Sequence, residues 1–186
     1  MPLPPMPLRI AQRLPGLPVL LPALACGMAW WALCASVVAQ ELTPWAGGPT
    51  PALALSDPHG VEHTLATYHG RAVLLNFWAT WCEPCREEMP ALQQLQSQLG
   101  KDRFVVLAVN YGESPEKVQD FAHNLPVDFP MLLDRHTDTA KAWQVRVLPT
   151  SFVLGPDGTI RYSAVGVVDW EDPQIIRVLT TLVGPP

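Results

Sequence analysis

The chain has 186 residues, which is enough for one domain of ordinary size and an additional segment. All seventeen acidic residues but only ten of the twelve basic residues lie from Glu41 onward, so this part carries a net charge of −7. It has no Arg-rich run or basic patch, which argues against nucleic acid as a partner.

The first 40 residues form an apolar, export-type segment. No charged residue occurs from position 14 to position 40, and Arg9 and Arg13 precede this stretch. Residues 19–39, as a helix, would span about 30 Å, enough to cross the hydrocarbon core with the rest of the chain exported. The same features describe a secretory signal cleaved after Ala39, although the apolar run is long for such a signal and favours a retained anchor.

Residues 41–51 are rich in Pro and Gly and are predicted to be a linker between the anchor and a domain at 52–186. The domain begins with “ALAL” and “VEHTL” on either side of “DPHG”, a pattern that predicts a hairpin. The continuous apolar run “RAVLLNFWA” then predicts a strand buried on both faces.

A helix is predicted next, from Pro84 to Leu99, because apolar residues recur at helical spacing and Gly100 provides a stop. “RFVVLAVN” predicts a second buried strand, and “SPEKVQDFAHN” a helix capped by Ser114. The turn “GPDG” predicts an antiparallel hairpin, and “DPQIIRVLTTLV” a final helix. This order predicts an α/β fold with a mixed central sheet flanked by helices.

The pair Cys82 and Cys85, in “WCEPC”, is the candidate catalytic site. Cys82 falls at the predicted helix N-terminus, where unpaired N–H groups and the helix dipole favour a thiolate. Cys85 lies one turn later on the same face and can form a disulfide with Cys82. Attack of the Cys82 thiolate on a substrate disulfide, followed by attack of Cys85 on the mixed disulfide, would reduce the substrate.

Other uses of this pair are less well supported. Haem attachment needs a His after the second cysteine, where Arg86 stands, and a zinc site needs two further ligands. A purely structural disulfide closing so short a loop would stabilise little. Cys26 and Cys34 are interpreted as small apolar residues of the export segment.

The stretches “LLNFWATWCEPCREEMP” and “VLPTSFVLGPDGTI” resemble the thioredoxin superfamily, in particular its exported TlpA-like branch. That branch includes the membrane-tethered thiol–disulfide proteins of bacterial cytochrome c maturation. The resemblance covers about residues 52–183 and implies a thioredoxin-like fold, with the N-terminal hairpin as an extension. It implies a cis peptide between Leu148 and Pro149 facing the cysteines, and a substrate-binding surface that also includes Trp81 and Pro84.

One position departs from thioredoxin itself, which has a buried Asp where this sequence has Asn76. Because an amide cannot accept the proton of Cys85, we hypothesise that Glu83, between the cysteines, carries out the proton transfer. The negative charge of Glu83 would also keep the Cys82 thiol pKa from falling very low. Glu87 and Glu88 are predicted to lie on a solvated helix face.

The predicted function is that of a periplasmic thiol–disulfide oxidoreductase, acting mainly as a reductase, on the outer side of the bacterial inner membrane. Apocytochrome c is the leading substrate, with the cysteine pair of a copper site on another exported protein as second. Because the periplasm is oxidising, a transmembrane thiol reductase must supply electrons. No metal or cofactor is expected beyond the Cys82–Cys85 disulfide. The alternative is a copper metallochaperone, and a peroxidase would need a peroxide pocket that the sequence does not indicate.

Overall fold

The computed structural model describes residues 41–184, so the predicted anchor or signal segment at 1–40 lies outside them. Within this described part, no helix is both long and apolar enough to cross a membrane. The strands are β1 (Thr43–Pro44), β2 (Ala54–Ser56), β3 (Glu62–Thr64), β4 (Ala72–Trp78), β5 (Phe104–Tyr111), β6 (Met131–Asp134), β7 (Thr150–Leu154) and β8 (Ile160–Val165). The α-helices are α1 (Glu83–Leu99), α2 (Pro115–Ala122), α3 (Asp138–Ala142) and α4 (Pro173–Val183).

Six strands form the central mixed sheet, in the order β1-β8-β7-β4-β5-β6, and β2 pairs with β3 as a separate hairpin. β4, β5 and β6 are parallel, whereas β7 is antiparallel to both β4 and β8. The carboxyl ends of the three parallel strands therefore meet at one edge of the sheet, as the pairing of Trp78 with Asn110 and of Tyr111 with Asp134 demonstrates.

Strand β4 is wholly buried and contributes to a hydrophobic core on each face of the sheet. Leu74 and Trp78 pack on the face that carries α1 and α4, whereas Leu75 and Phe77 pack on the opposite face. This alternation confirms the prediction from its continuous apolar run, because successive side chains of a strand point to opposite faces. Asn76 is the single polar residue of this strand, and its position places it on the α1 side.

The predicted helices and hairpins are confirmed within a residue or two, and α1 continues across Pro90. Three elements were not predicted: β1, β6 and α3 are short, and strand or helix periodicity is weak over so few residues. β1 lies within the segment predicted as a linker and pairs with β8. The adjacent Trp45 ring packs edge-on against Phe152, with ring centroids 5.7 Å apart.

Candidate active site

The two cysteines form a disulfide at the start of α1, with the Cα atoms 5.3 Å apart. Cys82 is the N-cap residue, and its N–H donates to the Ala79 carbonyl, closing a tight turn between β4 and the helix. Cys82 retains 6% of its surface exposed and Cys85 none. Cys82 is therefore the more accessible residue of the pair, and Cys85 is fully shielded from solvent.

A carboxylate just after the next strand, β5, accepts hydrogen bonds from the turn that precedes the nucleophile. Glu113, just beyond β5, is 8% exposed and accepts hydrogen bonds from the backbone N–H and the hydroxyl of Thr80, each 2.7 Å long. It also accepts a 2.8 Å hydrogen bond from Asn110 and forms a 2.6 Å ion pair with Lys117. Burial opposes its ionisation, but these donors outweigh burial and hold the pKa of Glu113 below its ordinary value. These hydrogen bonds therefore fix the backbone two residues before Cys82.

A second carboxylate, Glu88, lies buried beneath the site. It is 5% exposed and accepts hydrogen bonds from Asn76 Nδ2 at 2.7 Å and from Trp170 Nε1 at 3.3 Å. Burial raises the pKa of Glu88 from 4.5 to about 7, even though these donors and the Val168 backbone favour the charged form. Glu88 is therefore poised to gain or lose a proton near neutral pH.

This position of Glu88 corrects the sequence-based expectation of a solvated face for Glu87 and Glu88. Glu87 is exposed as predicted, but Glu88 is not. The physical reason is helical spacing, since Cys85, Glu88 and Leu92 follow one another at intervals of three and four and share one buried face. The spacing is present in the sequence, but a charged residue is ordinarily expected to be exposed, so Glu88 was not predicted to be buried.

Glu83, the carboxylate to which proton transfer was assigned, is the first residue of α1 and is exposed. It lines a surface depression between the start of α1 and the end of α2, together with Arg86, Glu87 and Phe121. Pro84 follows it and is half-buried. The structure thus separates the two acidic residues, with Glu83 in solvent beside Cys82 and Glu88 in the core one turn beyond Cys85.

The peptide bond between Leu148 and Pro149 is cis, as the resemblance implied. β7 begins at Thr150, which pairs with Phe77 near the end of β4, so the cis proline lies at the same end of the sheet as the cysteines. Trp81 and Val147 are among the few large hydrophobic side chains exposed in the described residues, at 63% and 52%. They provide apolar surface on the two segments that border the disulfide.

Three further residues of this site were not found from the sequence. Glu113, Ser151 and Trp170 are distant in the chain from the cysteines, and no local pattern marks them. Ser151 accepts a 3.1 Å hydrogen bond from Asn76 Nδ2, the same nitrogen that donates to Glu88. They belong to the site only because separate strands and the loop before α4 converge there.

The chain is similar in sequence to a known family and to characterised thiol–disulfide proteins. Residues 46–163 match the model of the AhpC/TSA family. The chain belongs to this family. Over 164 residues it is 35% identical to the thiol-disulfide oxidoreductase ResA of Geobacillus thermodenitrificans, a match that covers 88% of this chain and 91% of that one. It is also 36% identical over 114 residues to ResA of Bacillus subtilis, covering 61% and 64% of the two chains.

Solved structures agree with these relatives. A secreted thiol-disulfide isomerase from Corynebacterium glutamicum superimposes with a TM-score of 0.69 at 25% identity, covering 80% of this chain and 95% of that one. A protein from Chlorobium tepidum described as the thiol:disulfide interchange protein DsbE gives the same TM-score at 27% identity, covering 76% and 100%. The fold is thioredoxin-like, as predicted, and this member of the AhpC/TSA family is a thiol–disulfide oxidoreductase.

Proposed function

We propose that this protein reduces disulfides in exported proteins, with Cys82 as the nucleophile and Cys85 as the resolving thiol. The observation that carries the proposal is the Cys82–Cys85 disulfide at the first turn of α1, with Cys82 6% exposed and Cys85 fully buried. The N-terminal position of Cys82 on the helix supports a thiolate there, because the N–H groups and dipole of the first turn stabilise negative charge.

In the proposed reaction, the reduced protein supplies two electrons and two protons to the substrate. The Cys82 thiolate attacks one sulfur of the substrate disulfide and forms a mixed disulfide, while the other substrate sulfur leaves as a thiolate and takes up a proton. Cys85 then attacks Cys82 Sγ, which breaks the mixed disulfide, releases the second substrate thiol and restores the Cys82–Cys85 bond.

The thiol proton of Cys85 must leave before or during the second step, and Glu88 is the group we propose to accept it. Both residues are buried and lie three positions apart on one face of α1. A pKa of about 7 suits a base that works near neutral pH. Glu83, which the sequence analysis favoured for this step, is assigned the other part of its predicted role, a negative charge beside Cys82.

Oxidised peptides would dock as an extended segment along Trp81, Pro84, Leu148 and Pro149. Exposed apolar surface at Trp81 and the cis peptide at Pro149 support this assignment, since backbone beside such a bond can pair with an extended strand. Apocytochrome c remains the leading substrate, because its CxxC haem site must be reduced before haem is attached. The proposal places the domain on the periplasmic side of the inner membrane, with a transmembrane thiol reductase as electron donor.

Covalent trapping tests both the nucleophile and the substrate class. The full-length Cys85→Ser protein, expressed in its native host, should accumulate mixed disulfides on Cys82 that reducing agent releases and mass spectrometry identifies. Cys82→Ser with Cys85→Ser is the matched control and should trap nothing. Equal trapping by the double variant would place the reactive thiol elsewhere in the chain.

The reduction potential tests the direction of electron flow. Equilibration of the full-length protein with glutathione buffers should give a value more negative than about −180 mV, the potential of protein disulfide isomerase. A more positive value would mean that the protein oxidises its partners, and would remove the reductase assignment while leaving the exchange chemistry in place.

A further inference from the structure

A groove of about 690 Å³ adjoins the exposed indole of Trp81 and shares no lining residue with the depression that Glu83 and Glu87 border. Trp81 forms one wall, Tyr111 to Ser114 lie at the carboxyl end of β5, and Arg135 and His136 follow the carboxyl end of β6. In α/β folds, the crevice outside the carboxyl ends of the parallel strands is where ligands are generally bound. This groove occupies that position beside the nucleophile.

The charged residues that line the groove include one guanidinium, that of Arg135. Glu113 and Lys117 both line it, but they form a 2.6 Å ion pair with each other, so their charges cancel. Arg135 is exposed and forms no ion pair among residues 41–184. Glu116 lies near enough to sense its charge but does not pair with it. A guanidinium without an ion pair beside the active site is notable because residues 41–186 together carry a net charge of −7.

A second depression, which shares no lining residue with the groove, has the reverse sign. Glu83 and Glu87 border it, and Arg86 is the only cation among its lining residues. The surface beside Cys82 therefore offers acidic side chains in one depression and Arg135 in the other. A substrate carboxylate is attracted to the groove and repelled from the α1 side, because opposite charges attract and like charges repel at these short distances.

The rigid wall of the groove supports a defined binding surface. Gly112 has φ of +75°, and a Cβ there would come within 3.3 Å of Thr137 Cγ2, so the loops after β5 and β6 contact each other closely. Thr137 itself has φ of 59°, a conformation that non-glycine residues rarely adopt and that is often found at binding sites. The segment that carries Arg135 therefore packs against the loop after β5.

We propose that this groove selects substrates in which a carboxylate side chain lies within a few residues of the attacked cysteine, on the side that passes Trp81. The occupant is an extended segment of an oxidised protein, and Arg135 is the residue that confers the preference. The inference rests on the proposed reductase function and adds the substrate class that the site prefers.

Disulfide-containing peptides that differ in one residue test this preference. The probe is a series of oxidised CxxC peptides with Glu, Gln or Lys placed one to four residues before or after the pair. The pre-reduced full-length protein, purified in a mild detergent, is mixed with each peptide, and the rate constant of the first turnover is measured. At the best position, the Glu peptide should react about two- to fivefold faster than the Gln peptide, the effect of one exposed charge pair.

Charge variants identify the responsible residue. Arg135→Gln should bring the Glu-to-Gln rate ratio close to one, and Arg135→Glu should invert it. Glu116→Gln should raise the ratio, because it removes a carboxylate that interacts electrostatically with Arg135. Arg177→Glu, an exposed reversal of the same size on α4, should leave the ratio unchanged.

The failures are distinguishable. Normal reduction of all peptides with a ratio of one in the unmodified protein would overturn the groove inference and leave the proposed function intact. Equal loss of preference in Arg135→Glu and Arg177→Glu would show a general charge effect and would also overturn the inference. Reduction of no peptide at all would remove the reductase function and the inference with it.

Discussion

Asn76 on β4 donates a 2.7 Å hydrogen bond to the carboxylate of Glu88 on α1, with both side chains shielded from solvent. The same amide nitrogen bonds Ser151 on β7, so one side chain connects the active-site helix to two central strands. The bond stabilises the charged form of Glu88, but burial exceeds this effect and sets the pKa near 7. Proton chemistry at this site therefore depends on a carboxylate that the fold removes from water.

The stability of the oxidised protein should fall as pH rises, because of Glu88. Below the ordinary pKa of 4.5 the carboxyl is protonated in both folded and unfolded chains, and its contribution is fully present. Between 4.5 and about 7 only the unfolded chain releases the proton, so the contribution is lost as pH passes through the folded pKa. The loss is on the order of 3 kcal/mol, at about 1.4 kcal/mol per pH unit.

Urea unfolding between pH 5 and pH 8 measures this effect. Glu88→Gln should lose most of the pH dependence that the group contributes. Glu87→Gln is the matched control on the exposed face of α1 and should unfold like the unmodified protein at each pH. Identical pH dependence in both variants would show that Glu88 ionises normally.

Glu88→Gln should also slow the resolving step, since an amide cannot accept the Cys85 proton. The rate of this step at pH 7 should fall about 100-fold, the lower end of what a positioned base contributes. A stopped-flow measurement of the release of reduced peptide from a preformed Cys82 mixed disulfide isolates this step. Release at the normal rate in Glu88→Gln, with slow release in Glu83→Gln, would return the proton transfer to Glu83.

Glu83→Gln should lower the pKa of the Cys82 thiol. The residue adjoins Cys82, and removing its negative charge makes a neighbouring thiolate less unfavourable. The rate of alkylation of the reduced protein as a function of pH reports this pKa directly. An unchanged profile would mean that solvent screens Glu83 from the sulfur.

Asn76→Asp should raise the pH at which the buried carboxyl pair, Asp at position 76 and Glu88, releases its last proton. The substitution preserves size but replaces a donor with a carboxylate oxygen 2.7 Å from Glu88. Two carboxylates in such contact cannot readily both ionise, so the pair should retain one proton well above pH 7. The pH at which stability is lost should rise, whereas Asn124→Asp, on the surface, should not move it.

Thr80→Val should loosen the turn that carries the nucleophile. The change keeps the shape of the side chain but removes the hydroxyl that donates to Glu113 at 2.7 Å. A hydrogen bond to a charged group contributes about 1.5–3 kcal/mol, and urea unfolding should show a loss in the lower part of this range. Thr180→Val, which removes an exposed hydroxyl on α4, should cost much less.

The sequence was sufficient for the fold class, for the longer strands and helices and for the Cys82–Cys85 disulfide, but not for β1, β6 and α3. The wholly apolar β4, the capped α2 and the “GPDG” hairpin carry local signals that depend on neighbouring residues only. The Cys82–Cys85 spacing likewise defines a disulfide within one helical turn. These features were predictable because each depends on residues that are close together in the sequence.

The identity of the buried acid was decided by the tertiary structure. Glu83 and Glu88 are both acidic residues of one helix, and no composition rule distinguishes them. Packing of α1 on β4 and the loop before α4 brings Asn76 and Trp170 to Glu88 and leaves Glu83 in water. The resulting desolvation, a property of the assembled core, raises the pKa of Glu88 to about 7.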